Sequence, residues 1–339
     1  MYTNAVYFPN YRVYSGDTPG QLNYGCINHV YYAFATVSAD GQVLLSDVCA
    51  DLQAPCDGAD GALGSLMQLK HRHPHLRVVL SIGGAGSPET FPLVASDPLL
   101  RDNFARSALG LIEASGLDGI DIVWEYPCDE QQGSDFLSLL ATMRSCLPED
   151  HLLTAALPAN QMVLQCINLG EAALYLDFVN LTAYDFFGAW TGRTGHQAQL
   201  YTTSKDETSA SSGVAHLMKA GVPGKKILLG IPVFGRSFLH AAAPGQKFRG
   251  VGGTDGSFEY KDLPRRGTKE QVDKRAVAAQ CVGGDGGFVT YDNPDTVKMK
   301  AAFCKQKGLG GLFYWCAPMD SKDSKRSLIA SGFRALHSS

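Results

Sequence analysis

The sequence contains no run of 18 consecutive apolar residues, so it offers no membrane-spanning helix. It also lacks a basic stripe. The 29 Lys and Arg and 33 Asp and Glu are scattered along the chain and leave a net charge of −4, which argues against a nucleic-acid partner. The nine cysteines include no Cys-x-x-Cys pair, so neither a zinc nor a redox template is present. Their odd number leaves at least one thiol free. Most read as small buried hydrophobes, while Cys49 and Cys56 flank a short Pro-containing loop and could close a local disulfide. The first residues, Met1 to Val6, run directly into strand-like sequence with no charged or apolar leader region. The expectation is an intracellular protein, or one whose leader has been removed.

What is present is a rhythm. Short β-branched or aromatic runs recur at Ala5–Phe8, Val30–Ala35, Val78–Ile82, Gly119–Trp124, Leu153–Leu157, Phe178–Tyr184, Ile227–Val233 and Gly311–Cys316. Near-continuous apolar runs suit parallel strands covered by helices. Helical stretches are expected at Ala62–Arg72, Asp97–Ala114, Asp135–Cys146, Ser209–Ala220 and Thr296–Lys307. Eight such units in 339 residues predict an α/β fold, a TIM (β/α)₈ barrel. The Gly- and charge-rich stretch after the seventh strand is too long for a βα loop. It predicts a small α+β insertion domain over residues 239–290, with strand-like fragments at Lys247–Val251, Phe258–Tyr260 and Gly287–Tyr291; residues 1–238 and 291–339 form the barrel. The glycines from Gly250 to Gly256 miss the dinucleotide-binding spacing and read as a turn.

The most informative segment is Leu117-Asp118-Gly119-Ile120-Asp121-Ile122-Val123-Trp124-Glu125. Side chains alternate along a strand, so Asp121, Val123 and Glu125 share a face, and in a barrel that face is the interior. A deep carboxylate with a second one above it at the mouth is costly unless used; burial and like charge raise one pKa, as a general acid requires. Asp118 falls on the other parity and is expected to brace the strand.

The chain resembles glycoside hydrolase family 18 chitinases, of the fungal type with an insertion domain. Asp118, Gly119, Asp121, Trp124 and Glu125 match the family's D-G-x-D-x-D-W-E, with Val123 where its third Asp belongs. Ser81, Gly83 and Gly84 match the S-x-G-G of the third strand, Tyr184-Asp185 the Y-D of the sixth, and Gly230–Phe238 and Gly310–Trp315 the motifs of the seventh and eighth. The resemblance implies hydrolysis of β-1,4-linked N-acetylglucosamine with retention, assisted by the substrate's own acetamide. Glu125 would be the acid and base and Tyr184 would hold the acetamide oxygen, with Asp121 as the partner of the missing Asp. Trp315 would floor the site. Asp185 and Arg236 would bind sugar hydroxyls, and Tyr7, Phe34, Trp124 and Trp190 would add contacts to the sugar. Chitin and chito-oligosaccharides are the implied partners of a monomer that needs no metal or cofactor, and that substrate favours an extracellular setting.

Val123 can fill the volume of Asp but accepts no hydrogen bond. The expectation is an inactivated or very slow chitinase that still binds its substrate; the alternative is a lectin-like pseudoenzyme. An enzyme acting on the chitobiose core of N-glycans would share the mechanism, but the insertion domain favours linear chitin. Ala85-Gly86 follows the S-x-G-G motif where many relatives carry Trp, and Thr182 stands where the family usually has Met. His71-Arg72-His73-Pro74-His75 reads as a solvated helix end, and the sequon at Asn180-Leu181-Thr182 lies inside an expected strand.

Overall fold

Each of the eight apolar runs forms a strand: β1 (Thr3–Pro9), β2 (His29–Val37), β3 (Arg77–Gly83), β4 (Gly119–Val123), β5 (Leu152–Pro158), β6 (Phe178–Thr182), β7 (Ile227–Pro232) and β8 (Gly311–Trp315). The computed structural model describes Met1–Ser338 apart from residues 87, 88, 203 and 205. Every strand pairs in parallel with the next, and β8 returns to β1 in the register Thr3↔Gly311, which closes the barrel. Closure leaves no open edge on the barrel ring. The expected TIM barrel is therefore present.

The two faces of the strands have different tasks. One packs under the helices, where Leu80, Ile120, Ile122 and Leu153 are fully buried beside Phe104, Phe136 and Leu140. The other fills the barrel, with Ala5, Tyr7, Tyr31, Val79, Leu228 and Phe313 in contact. The helices begin and end on local chemistry. In Pro98–Ser115, Asp97 accepts the backbone N–H groups of Leu99 and Leu100, and Gly116 closes the helix in a left-handed conformation. The chain also forms Thr90–Ser96, Gln161–Leu164, Leu169–Tyr175 and Leu328–His337, which the apolar rhythm did not reveal. Among the described residues no helix is long and apolar enough to cross a membrane.

The insertion departs from expectation. It is a five-stranded antiparallel sheet in the order Ser257–Glu259, Phe234–Phe238, Phe288–Tyr291, Ala278–Val282, Gln271–Asp273. Among the described residues it holds one 3₁₀ turn, Tyr260–Asp262, and no α-helix. Its first strand starts at Phe234, inside the segment assigned to the barrel, and Lys247–Val251 is not a strand. The reason is continuity: β7 passes through Val233 directly into the insertion sheet, while the backbone N–H of Val233 donates to Trp315 O at 2.7 Å. The insertion is thus fixed to the top of β8.

Candidate active site

β4 carries the site. Asp121 points into the barrel and is fully buried. Its Oδ2 accepts from the Tyr7 hydroxyl and from Ser81 Oγ, both at 2.7 Å, and its Oδ1 accepts from Thr154 Oγ1 at 2.6 Å and Asn180 Nδ2 at 3.2 Å. Tyr31 donates in turn to Asn180 at 3.2 Å. Burial pushes the Asp121 carboxyl up, against the pull of these four donors.

One layer higher, Val123 is 5% exposed and presents only methyl groups. Its carbonyl accepts from Gly84 N at 2.9 Å. Gly83 is required beside it: at φ +113, a Cβ would stand 2.3 Å from Val123 O. At Gly84, a Cβ would fall 2.7 Å from the Phe34 ring. These glycines therefore let β3 approach β4 and Phe34 closely.

Glu125 stands at the mouth and is an exposed residue, yet protein surrounds much of its carboxyl group. No described residue hydrogen-bonds its carboxyl group. Surrounding protein and then the charge of Asp185 raise its pKa above the ordinary range. Asp185 is held by Arg236, whose Nε donates to Oδ1 at 2.8 Å. The guanidinium of Arg236 also lies 5.0 Å from the centres of the Trp190 and Phe234 rings. Trp190 is 60% exposed. Burial and Asp185 push the Tyr184 hydroxyl well up, so it remains a hydrogen-bond donor at neutral pH. Trp315 is stacked on Phe34 with ring centres 5.7 Å apart and tilted 5.3 Å from Tyr7. The charges of Asp185 and Glu125 both act on the Tyr184 hydroxyl, so a carboxylic acid and a phenol stand together at the mouth, an arrangement suited to proton donation.

The sequence model of glycosyl hydrolases family 18 matches residues 3–320. The chain belongs to this family. It is 34% identical to chitinase 1 of Aphanocladium album, over 99% of this chain and 86% of that protein. It is 35% identical to endochitinase 1 of Metarhizium robertsii, over 99% and 85%. Among solved structures, it superposes with a TM-score of 0.87 and 28% identity on a family 18 chitinase from Cycas revoluta in complex with (GlcNAc)3, covering 99% of both chains.

Within this family member, two of the expected sugar contacts are not at the cleft. Trp124 is 2% exposed on the helix side of β4, stacked on Phe91 with centres 5.7 Å apart and edge-on to Phe136. Its parity is opposite to that of Asp121 and Glu125, so it packs the core. Tyr7 is 2% exposed and spends its hydroxyl on Asp121; it supports the site from below instead of offering a face. Asp118 accepts from Val78 N at 2.7 Å and pairs with Lys70 at 2.8 Å.

Two residues went unread in the sequence. Tyr11 and Tyr14, 50% and 61% exposed, stand on the 3₁₀ segment Asn10–Ser15 that leaves the top of β1. The Tyr11 hydroxyl is raised by burial and by neighbouring Cys316, which follows Trp315. Both lie beyond the C-terminal end of β1, the end of the barrel that carries the mouth, with the Tyr14 hydroxyl held by Asp47. The weaker signals resolve simply. None of the nine cysteines is paired, so Cys49 and Cys56 form no disulfide. His73 stacks on Tyr24 and His75 contacts its carbonyl. Asn180 is fully buried. Among the described residues no group of three His, Cys, Asp or Glu could hold a metal. Cavities of about 620 and 680 Å³ lie away from Glu125, one beside Asn23 and Ser324 and one under Thr3 and Gly310 at the base of the barrel.

Proposed function

We propose that the chain binds chitin and chito-oligosaccharides and hydrolyses their β-1,4 linkages with retention, at a rate strongly reduced by Val123. The acetamide carbonyl oxygen of the sugar over Trp315 attacks its own anomeric carbon, and Glu125 gives its proton to the departing glycosidic oxygen. Glu125 then takes a proton from a water whose oxygen bonds to the anomeric carbon as the acetamide oxygen leaves it. The Tyr184 hydroxyl holds the acetamide oxygen. Asp185 and Arg236 face sugar hydroxyls, with Phe34 and Trp190 beside them. The insertion sheet, read as the fungal type, forms one wall. The chitinase names of the relatives and the (GlcNAc)3 complex of the Cycas revoluta protein support this substrate class.

The observation that carries the reading is the column on β4. Glu125 sits at the top with a raised pKa, Asp121 lies below with all four of its donors engaged, and between them Val123 offers no acceptor for the acetamide N–H. Loss of one preorganised contact to the developing charge typically lowers kcat by about 10²–10³. Asp121 cannot stand in, because its oxygens are committed one layer deeper. The second reading, a lectin-like binder, is favoured by the same residue, since an aromatic cleft without that acceptor still stacks sugars. Comparing kcat/KM on a chito-oligosaccharide of four to six sugars for the chain and for Val123→Asp separates the two. A gain of about a hundredfold or more supports the disabled enzyme; two inert proteins that both bind the sugar support the lectin.

A further inference from the structure

Arg12 follows Tyr11 on the 3₁₀ segment and is only 7% exposed. Its guanidinium forks onto one carboxylate of the insertion: Nη1 donates to Glu259 Oε1 at 2.6 Å and Nη2 to Oε2 at 3.3 Å. Nε donates to Asp17 Oδ2 at 2.8 Å, and Lys261 Nζ lies 2.6 Å from Glu259. A mostly buried ion pair is weak support for stability, because apolar residues of similar volume often serve as well. What a bidentate fork supplies is geometry. On one side of the fork stand Tyr11 and Tyr14, the exposed aromatics at the top of β1. On the other, the strand of Glu259 pairs in register with Phe234 and Arg236. Arg236 holds Asp185 and lies under Trp190. The two aromatic lips of the cleft, one carried by β1 and one reached through the insertion sheet, are therefore joined through the Arg12–Glu259 fork.

We propose that Arg12 is a positioning residue that acts through Glu259 to fix the spacing of the Tyr11–Tyr14 lip from the Trp190 lip, so that an oligosaccharide long enough to reach both binds as one ligand. The inference rests on the reading of the cleft as a chito-oligosaccharide site. Two platforms at fixed spacing make the second contact intramolecular, so a long ligand gains affinity that a short one does not. Releasing the spacing removes that gain and leaves each platform intact.

The test is equilibrium binding of chitobiose and chitohexaose to the full chain carrying Glu125→Gln, which keeps the sugars uncut, alone and with Arg12→Met, Arg12→Lys or Glu259→Gln. The expected result is a loss of roughly tenfold or more in the hexaose-to-biose affinity ratio for Arg12→Met and Glu259→Gln, with chitobiose affinity held within about twofold. Arg12→Lys, which keeps the charge without the fork, recovers part of the ratio. Glu259→Gln keeps the side-chain shape, so it carries the test if Arg12→Met does not fold. An unchanged ratio, or affinities for both sugars falling together, overturns the inference. A parent protein that binds neither sugar overturns the proposed function and this inference with it; a parent that binds both equally overturns the inference alone.

Discussion

Asp121 and Glu125 are four residues apart on one strand line and occupy opposite surroundings. Asp121 lies deep in the barrel, where Tyr7, Ser81, Thr154 and Asn180 each donate to it. Glu125, at the mouth, meets no donor among the described residues, and its pKa is raised by burial and by Asp185. A buried polar group left unpaired is expensive, so the deep carboxylate has to be satisfied by protein. The upper one is free for a ligand. Height along the barrel axis thus separates a carboxylate satisfied by the protein from one left open to a ligand.

The largest test of this contrast is on rate. In a Val123→Asp background, Glu125→Gln is expected to lower kcat by about 10²–10⁴, the usual contribution of general acid–base catalysis, with the unfolding midpoint unchanged. A loss below tenfold removes Glu125 as the acid. The contrast between the two tryptophans comes next. Trp124→Ala empties a core site against Phe91 and Phe136 and should cost about 3–5 kcal/mol in denaturant unfolding, with sugar affinity intact if the protein remains folded. Trp315→Ala should reverse that pattern, weakening chito-oligosaccharide binding by about tenfold at little cost in stability. Asp121→Ala strands four donors and is expected to cost about 3 kcal/mol in the same unfolding measurement; Glu125→Ala should cost almost nothing.

The smallest effect is on pH dependence. As the proposed acid, Glu125 must carry its proton, so the rate is expected to fall as pH rises through its pKa. Burial and the Asp185 charge hold that pKa above the ordinary range. Asp185→Asn removes a negative neighbour and should move the alkaline limb of the kcat profile, measured in the Val123→Asp background, to lower pH. A limb that moves upward or stays fixed contradicts the assignment.

The barrel was legible because parallel strands covered on both faces read as apolar runs. All eight were found, with ends shifted by a few residues. The alternation along β4 was equally legible and placed Asp121 below Glu125. The same alternation puts Trp124 on the helix side, and the motif resemblance set that parity aside. Tyr7 shows another limit. Its inward face follows from period, but its depth, and so the engagement of its hydroxyl by Asp121, depends on the neighbouring strands. Tyr11 and Tyr14 lie on a 3₁₀ segment, outside any strand period. The insertion strands Gln271–Asp273 and Ala278–Val282 are too short and mixed in composition to stand out, and the expected helical part had no periodic signal behind it.

In the proposed function, Val123 is the residue that separates this cleft from rapid hydrolysis. Steady-state kcat/KM on chitohexaose for the chain and for Val123→Asp tests it most directly. The account predicts a gain of about a hundredfold or more. If Val123→Asp folds, binds the sugar and hydrolyses it no faster than the parent chain, the claim is contradicted.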